Sequence, residues 1–254
     1  MMKLVSWNVD SFHAIMENGF LGVMQELNAD IFSIQNLRLS AGERLQSLPQ
    51  YHQYWNYAQQ AGNAGTAIFA KQKPQMVIKG LGLAQFDNEG RTITLEYPEF
   101  FFVNVYSPFS GHHLVNLKQR QQWDQIFQAF IKALTATKPV IIGGDFNVAY
   151  QPSDIFDPTV NHQSANFTDT ERRNFGDLLT EGLTDSFRYC HPYQPEAYTR
   201  WQCPADRQIN HGTRVDYFLI SHRLRANVQY ARILDQIHGS NHCPIELGLA
   251  PSAS

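Results

Sequence analysis

The sequence lacks the long apolar run that a membrane-spanning helix requires, so no membrane partner is expected. Its three cysteines, Cys190, Cys203 and Cys243, show neither CxxC spacing nor an even count. We therefore expect reduced thiols in a cytoplasmic protein, without a disulfide framework or a zinc site. The motifs G-x-x-x-x-G-K-[ST] and G-x-G-x-x-G are also missing, which argues against a nucleotide triphosphatase and a dinucleotide enzyme.

No excess of positive charge coats the chain. Its 20 Lys and Arg residues are outnumbered by 23 Asp and Glu residues, which gives a formal net charge of -3. This balance excludes a generally basic surface but allows a local basic face, because binding to a phosphate backbone depends on where the cations lie. Linkers, low-complexity segments and internal repeats are absent as well, so the 254 residues predict one domain over 1–254.

Short apolar or alternating runs bounded by turn residues predict strands. We place these strands at 3–9, 30–35, 65–71, 91–97, 100–107, 138–146, 197–201, 214–221, 227–234 and 244–250. Amphipathic helices are predicted at 13–28, 114–134 and 168–182, and the last opens with a Thr-x-x-Glu capping box. Apolar strands that bracket helices suggest the α/β class: a four-layer sandwich in which two packed mixed β-sheets are flanked by helices. Periodicity alone does not separate this sandwich from another α/β arrangement.

Polar side chains recur where the predicted strands begin or end. They are Asn8, Asp10, Asn36, Tyr106, Asp145, Asn147, Asp216, Asn241 and His242. Any one of them alone is more often a turn residue or a helix cap, and the set carries the functional argument. Three carboxylates with several amides, a phenol and an imidazole can bind Mg²⁺ or Mn²⁺ and act on a phosphate group.

Ten segments follow one another in a recognisable order: SWNVD, IFSIQN, GTAIFAK, GRTITLE, FVNVYSP, IIGGDFNVA, FTDTERRNF, TDSFRY, RVDYFLIS and GSNHCPIE. In this order they resemble the exonuclease III/AP endonuclease family over nearly the whole chain. The resemblance implies the four-layer α/β sandwich, a monomer, and Mg²⁺- or Mn²⁺-dependent cleavage of DNA phosphodiesters. The expected substrates are duplex DNA with abasic sites, and 3′ ends.

The resemblance also implies a role for each matched position. The catalytic residues would be Tyr106, Asp145, Asn147, Asp216 and His242. Metal binding would involve Asn8, Asp10, Asn36, Asp145, Asn147 and Asn241. DNA contacts are predicted at Arg38, Asn161, Ser164 and Trp201. Seven cations near loops could face a phosphate backbone or be ordinary surface charge: Arg38, Lys71, Lys73, Lys118, Arg120, Arg200 and Arg207.

Two metal-site carboxylates of the family are amides here, because Asn36 replaces a Glu and Asn241 replaces an Asp. A charge pair near a protein surface contributes about 4 kcal/mol, so we expect weaker metal affinity. Phe109 and Thr213 also depart from the family pattern, at an amide and at an aromatic of the sugar pocket. These departures leave open a nucleic-acid-binding homologue without turnover and, as the weakest alternative, a small-molecule phosphodiesterase.

Overall fold

The computed structural model describes residues 1–45 and 48–250. Its strands are β1 Met2–Asn8, β2 Ile31–Gln35, β3 His52–Asn56, β4 Thr66–Ala70, β5 Met76–Lys79, β6 Thr92–Glu96, β7 Phe101–Tyr106, β8 Val140–Asp145, β9 Leu183–Asp185, β10 Arg200–Trp201, β11 Gly212–Thr213, β12 Asp216–Ser221, β13 Val228–Ile233 and β14 Ile245–Leu249. Its helices are α1 Phe12–Glu17, α2 Phe20–Leu27, α3 Ala84–Asp87, α4 Leu117–Thr135, α5 Asp169–Thr180, α6 Ser186–Cys190 and α7 Pro204–Gln208. Short 3-10 turns cover His112–Leu114, Pro152–Asp154 and His222–Asn227.

Each of the two six-stranded sheets has one parallel pair near its centre. The first sheet has the order β13-β14-β1-β2-β4-β3, and the second has the order β5-β6-β7-β8-β12-β9. Strands β1 and β2 are parallel in the first sheet, β7 and β8 are parallel in the second, and the other neighbours are antiparallel. The predicted mixed sheets are therefore confirmed.

Three apolar cores separate four layers. Leu247 of the first sheet and Phe218 of the second belong to the core between the sheets. On the outer face of the second sheet, Trp123 of α4 packs with strand residues such as Val103. On the outer face of the first sheet, Phe20 of α2 packs in the same way. The order helix, sheet, sheet, helix confirms the predicted four-layer α/β sandwich.

The boundaries differ from the prediction where short elements or turns intervene. The predicted helix 13–28 is two helices, because Gly19 between α1 and α2 has a φ of +88°, a conformation that interrupts helical geometry. Of the predicted strand 197–201, only Arg200–Trp201 forms a strand, β10, which pairs with the two residues of β11 and has an isolated bridge from Arg200 to His242. Strands β3, β5, β9 and β11 were not predicted. The sheet-edge strands β3 and β5 are partly exposed, and β9 and β11 have only three and two residues, so each gives a weak apolar pattern.

A buried polar bridge joins the two sheets near the ends of their central strands. The Gln35 amide donates to Ser6 Oγ at 2.9 Å and to Asn104 Oδ1 at 2.8 Å. In turn, Asn104 donates from the second sheet to the carbonyl oxygens of Ile34 and Ala67, at 3.0 and 2.9 Å. Hydrogen bonds of this kind are directional, so the bridge fixes how one sheet lies on the other.

Two absences in the sequence have structural counterparts. In residues 1–45 and 48–250, none of the helices combines the length and the apolar character that crossing a membrane demands. The three cysteines are free thiols, and Cys243 is buried. Its burial raises the pKa of the Cys243 thiol, so this side chain is an apolar packing group beside Tyr198 and Trp201.

Gly144 precedes Asp145 in β8, and a Cβ added there would lie 1.9 Å from the carbonyl oxygen of Val105 in β7. Gly144→Ala must therefore separate the two strands, and we expect it to lower Tm by more than about 10 °C. The matched control is Gly22→Ala in α2, where an added Cβ meets nothing within 4 Å. This control should be neutral or stabilising by about 0.5–1 kcal/mol. Circular dichroism during thermal unfolding measures the Tm of each variant. An equal Tm for the two variants would contradict the close approach of β7 and β8 at Gly144.

Candidate active site at the strand ends

The central strands bring the predicted catalytic residues to one edge of the sandwich. Asn8, Tyr106 and Asp145 are the last residues of β1, β7 and β8, and Asp216 is the first residue of β12. Asp145 lies opposite Tyr106 in the parallel pair and opposite Asp216 in the antiparallel pair. Parallel strands end where their antiparallel neighbours begin, so strand polarity alone collects these side chains. His242 enters just before β14, beside the end of β1.

Asp145 is buried, and hydrogen bonds hold both of its carboxylate oxygens. Asn8 Nδ2 donates to Oδ2 at 2.7 Å, and the backbone N–H of Asn147 donates to Oδ1 at 2.7 Å. Burial and the charge of Asp216 raise the pKa of Asp145 to about 6, against the opposing effects of His242 and of these two donors. A carboxyl group with a pKa this close to neutrality can exchange a proton during a reaction.

His242 and Asp216 form a buried pair, with 2.8 Å between His242 Nδ1 and Asp216 Oδ2. Burial alone would lower the pKa of His242, but the charge and hydrogen bond of Asp216 outweigh it and raise that pKa above 6.5. The other imidazole nitrogen, Nε2, lies 4.0 Å from Asp145 Oδ2. Asp216 is oriented by Thr199, whose hydroxyl accepts from the Asp216 backbone N–H at 3.2 Å. The imidazole is therefore held between two carboxylates.

Tyr106 and Asn147 complete the predicted catalytic set. Burial, with Asp145 nearby, raises the pKa of Tyr106 to about 12 although Arg91 over its ring acts against this rise. The phenol therefore keeps its proton at neutral pH and can donate a hydrogen bond. Asn147 has a φ of +48°, and its side-chain amide donates to the Ser107 carbonyl oxygen at 2.9 Å. This bond connects the loop after β8 to the loop after β7.

Arg120 of α4 is a buried structural residue, which neither of the two alternatives left open for it, a phosphate contact or ordinary surface charge, describes. The side chain is buried and pairs with Asp124 at 2.7 Å. Its guanidinium donates to the carbonyl oxygens of Pro108 at 2.7 Å, Phe146 at 2.6 Å and Asn147 at 3.3 Å. One cation thus joins the two loops that follow Tyr106 and Asp145.

Asp10, Asn36, Arg38 and Asn241 form a separate group, the Asp10 cluster. Arg38 Nη2 lies 2.5 Å from Asp10 Oδ1, and Asn36 Nδ2 donates to the same oxygen at 3.0 Å. Asn241 Nδ2 lies 3.4 Å from Asp10 Oδ2. Asn8 connects this cluster to Asp145, since its Oδ1 accepts from the Asp10 backbone N–H at 3.0 Å. The predicted metal residues therefore fall into two groups rather than one.

The two groups differ in how well they suit a divalent cation. Asp145, Asp216 and His242 each offer a ligand atom, and these atoms lie within 4.8 Å of one another. Moreover, Asp216 Oδ1 is buried and has no hydrogen-bond partner in the part of the chain that the structure describes. An unsatisfied carboxylate oxygen is what a cation would stabilise, so this group fits a divalent ion. In the Asp10 cluster the single carboxylate already receives three donors, so that cluster fits a divalent ion poorly.

A groove of about 570 Å³ is lined in part by Arg200, whose backbone bridges to that of His242. Among its lining residues are Phe109, Phe156, Asn161, Ser164, Asn166, Arg200, His211 and Thr213. Phe156 and His211 stack with 3.6 Å between ring centroids and 14° between ring planes. The buried Asn166 has a side-chain oxygen without a hydrogen-bond partner among the described residues. Asn161 and Ser164 were predicted here; Phe156, His211 and Asn166 were missed, because isolated turn residues carry no periodic signal.

Trp201 and Arg207 are packing residues rather than an exposed DNA surface. Trp201 is only 3% exposed, and its indole N–H donates to Asn210 Oδ1 at 3.2 Å. Arg207 covers the indole at 4.5 Å from its centroid and donates to the carbonyl oxygens of Asp235 and Ile237, at 2.5 and 2.7 Å. The Trp201 ring is therefore packed against Arg207 and buried, and not exposed in a groove as predicted.

The chain belongs to the Endonuclease/Exonuclease/phosphatase family, which it matches over residues 5–242. That match includes both halves of the site, from Asn8 in β1 to His242 before β14. The family is divalent-metal dependent, which agrees with the Asp145, Asp216 and His242 group. The fold, the strand-end site and the family match thus agree on one class of protein, the endonuclease/exonuclease/phosphatase class.

The similar proteins found within this class are nucleases. The chain is 42% identical over 248 residues to an exodeoxyribonuclease of Bacillus subtilis (strain 168), covering 97% of this chain and 98% of that protein. It is 38% identical over 255 residues to the DNA repair nuclease APEX1 of Danio rerio, covering 98% and 82%. A solved 3′-5′ exonuclease (NExo) from Neisseria meningitidis superposes with a TM-score of 0.86 at 25% identity, covering 98% and 99%. The resemblance to the exonuclease III/AP endonuclease family is confirmed.

The His242–Asp216 pair predicts a measurable titration. In the wild-type protein, the pKa of His242 followed by NMR should lie above 6.5, because the Asp216 carboxylate stabilises the imidazolium. Asp216→Asn removes that charge and its hydrogen bond, so burial is opposed only by the more distant Asp145 carboxylate, and the pKa of His242 should fall. An unchanged His242 titration in this variant would show that Asp216 does not control the imidazole.

Proposed function

We propose that this protein is a divalent-metal-dependent DNA phosphodiesterase of the exonuclease III type that acts in DNA repair, as a cytoplasmic monomer. Its substrates would be abasic sites in duplex DNA, 3′ ends, or both. The observation that carries this proposal is the Asp145, Asp216 and His242 group, which keeps two buried carboxylates and an imidazole beside Tyr106. Relatives named exodeoxyribonuclease and DNA repair nuclease support the substrate class, as does a structural neighbour described as bound to a product DNA hairpin.

Asp145 is the residue we propose to accept a proton from the attacking water. Its pKa of about 6 leaves it ionised at neutral pH and still basic enough to take a proton. Asn8 and the Asn147 backbone fix the orientation of the carboxylate, so that it does not rotate away from the scissile phosphate. The proton leaves the water as its oxygen bonds to phosphorus, and the bond from phosphorus to the leaving oxygen breaks.

Positive charge and hydrogen-bond donors would stabilise the phosphate during this step. Tyr106 keeps its phenolic proton and can donate it in a hydrogen bond to a phosphate oxygen. His242, oriented by Asp216, either contributes positive charge as an imidazolium or, as a neutral imidazole, would help to hold a divalent ion. A divalent ion held by Asp145, Asp216 and His242 would neutralise charge on the phosphate, and the imidazole favours Mn²⁺ over Mg²⁺, which prefers oxygen ligands.

The groove beside the site is where we propose that the nucleotide next to the cleaved bond lies. Arg200 of the groove forms a backbone bridge with His242, which connects the groove to the catalytic group. Phe156 and His211 form a shelf on which a base can stack, and Asn161 and Ser164 provide polar contacts. Arg38, 49% exposed at the side chain, is the cation proposed for the phosphate backbone.

Cleavage of end-labelled duplex DNA with one abasic-site analogue tests the activity. We expect incision with Mn²⁺, less with Mg²⁺, and none in EDTA. Asp145→Asn should lower the rate by at least about 100-fold, and this variant also controls for a contaminating nuclease. Restored ligands in Asn36→Glu/Asn241→Asp should raise the rate at limiting metal. A different result would indicate a silenced homologue: the wild-type protein binds DNA in a salt-sensitive way without cleaving it, and only the Asn36→Glu/Asn241→Asp variant cleaves.

The stacking shelf is tested by DNA binding without turnover. In an Asp145→Asn background with EDTA, Phe156→Ala and His211→Ala should each weaken binding of a single-stranded oligonucleotide by about 1–3 kcal/mol. Fluorescence anisotropy measures the affinity, and quenching of a 2-aminopurine base reports stacking. Tyr193→Ala is the matched control, because Tyr193 is 93% exposed and does not line the groove. Equal losses in all three variants would rule out the shelf.

A further inference from the structure

The Asp10 cluster contains a permanent cation at the place where metal binding was predicted. The guanidinium of Arg38 contacts Asp10 at 2.5 Å, and the pair is only half-exposed, with 49% of the Arg38 side chain and 36% of the Asp10 side chain accessible. Asp10, Asn36 and Arg38 all have positive φ values, at +53°, +61° and +56°. The backbone of two separate loops therefore adopts uncommon conformations at these three positions, which bring the side chains together.

Asn36 is matched to both members of this ion pair. Its Nδ2 donates to Asp10 Oδ1 at 3.0 Å, and its Oδ1 accepts from Arg38 Nε at 3.4 Å. Only a side chain with both a donor and an acceptor can make these two contacts. A glutamate would offer acceptors alone, so it would leave Asp10 without this donor and would bring a second negative charge against it.

Asn241 satisfies the other oxygen of the same carboxylate. Its Nδ2 lies 3.4 Å from Asp10 Oδ2, on the side away from Arg38. An aspartate at this position could not donate and would repel Asp10. Both amides are thus donors to one carboxylate, and the charges of the cluster sum to zero, with −1 from Asp10 and +1 from Arg38.

We infer that Arg38 is the resident cation of the Asp10 cluster and that a divalent ion binds to Asp10 only when the guanidinium is displaced. The ion instead binds to the group of Asp145, Asp216 and His242, which has two carboxylates and in which Asp216 Oδ1 has no hydrogen-bond partner within residues 1–45 and 48–250. Arg38 remains available at the strand ends as a fixed positive charge for a phosphodiester oxygen, a role that suits the planar guanidinium. In the Asp10 cluster, the positions matched to the family's metal site, Asp10, Asn36 and Asn241, thus surround an arginine instead of an ion.

Binding of Mn²⁺, measured by the EPR signal of the free ion, tests this inference without any turnover. We expect Asp10→Asn to change the dissociation constant by less than about threefold. Asp145→Asn should weaken binding by at least about tenfold, because it removes a ligand. The matched control is Asp30→Asn, which removes a carboxylate paired with Lys71 at 3.5 Å. Circular dichroism must show that each variant is folded.

The decisive comparison is made at Arg38. Arg38→Gln should bind Mn²⁺ at least about tenfold more tightly or take up an additional ion, and Arg38→Gln/Asp10→Asn should lose this gain. If the wild-type protein binds no Mn²⁺ measurably, a gain in Arg38→Gln that depends on Asp10 supports Arg38 as the resident cation, but the missing wild-type binding overturns the assignment of the ion to Asp145, Asp216 and His242. Equal binding by wild type and Arg38→Gln, or a tenfold loss in Asp10→Asn alone, would overturn it. Because nuclease activity is not measured, failure here and failure of the proposed function are seen separately.

Discussion

The hydrogen bond from Asn8 to Asp145 crosses between the two sheets, and the catalytic arrangement depends on it. Asn8 ends a central strand of the first sheet, and Asp145 ends a central strand of the second. Their 2.7 Å contact requires the two sheets to pack with those strand ends at one edge. The buried Gln35–Asn104 bridge fixes the same relation from inside the core. Site geometry is therefore a consequence of how the sandwich is packed.

Charged groups buried at this edge are costly, and the surrounding structure offsets most of the cost. Asp145 receives two donors, and His242 lies between Asp145 and Asp216. The Arg120 guanidinium donates hydrogen bonds to carbonyl oxygens of the adjoining loops, and its ion pair with Asp124 holds it in this position. Within the group of Asp145, Asp216 and His242, one buried oxygen, Asp216 Oδ1, has no hydrogen-bond partner among the described residues. A nearly complete network with one open acceptor is the expected condition of a site that binds a cation.

Sequence patterns indicated an α/β fold with polar residues at strand ends, and the family resemblance implied the four-layer arrangement and the roles of those residues. A strand end is visible in the sequence, and strand polarity then places Tyr106, Asp145 and Asp216 together. Residues whose role depends on tertiary burial were not predictable in this way. Arg120 and Trp201 read as surface groups, and only packing shows them to be buried. Phe156 and His211 are far apart in sequence and meet only in the folded chain.

The amides at positions 36 and 241 are best understood as one change. Each alone would replace a ligand charge by a neutral group, and each presents an amide hydrogen that needs an acceptor. In the structure both hydrogens are directed to Asp10, whose charge Arg38 already compensates. The negative charge of the site is thereby concentrated in Asp145 and Asp216, beside the imidazole. On the inference drawn above, loss of carboxylates from one group and retention of them in the other would move the cation site rather than abolish it.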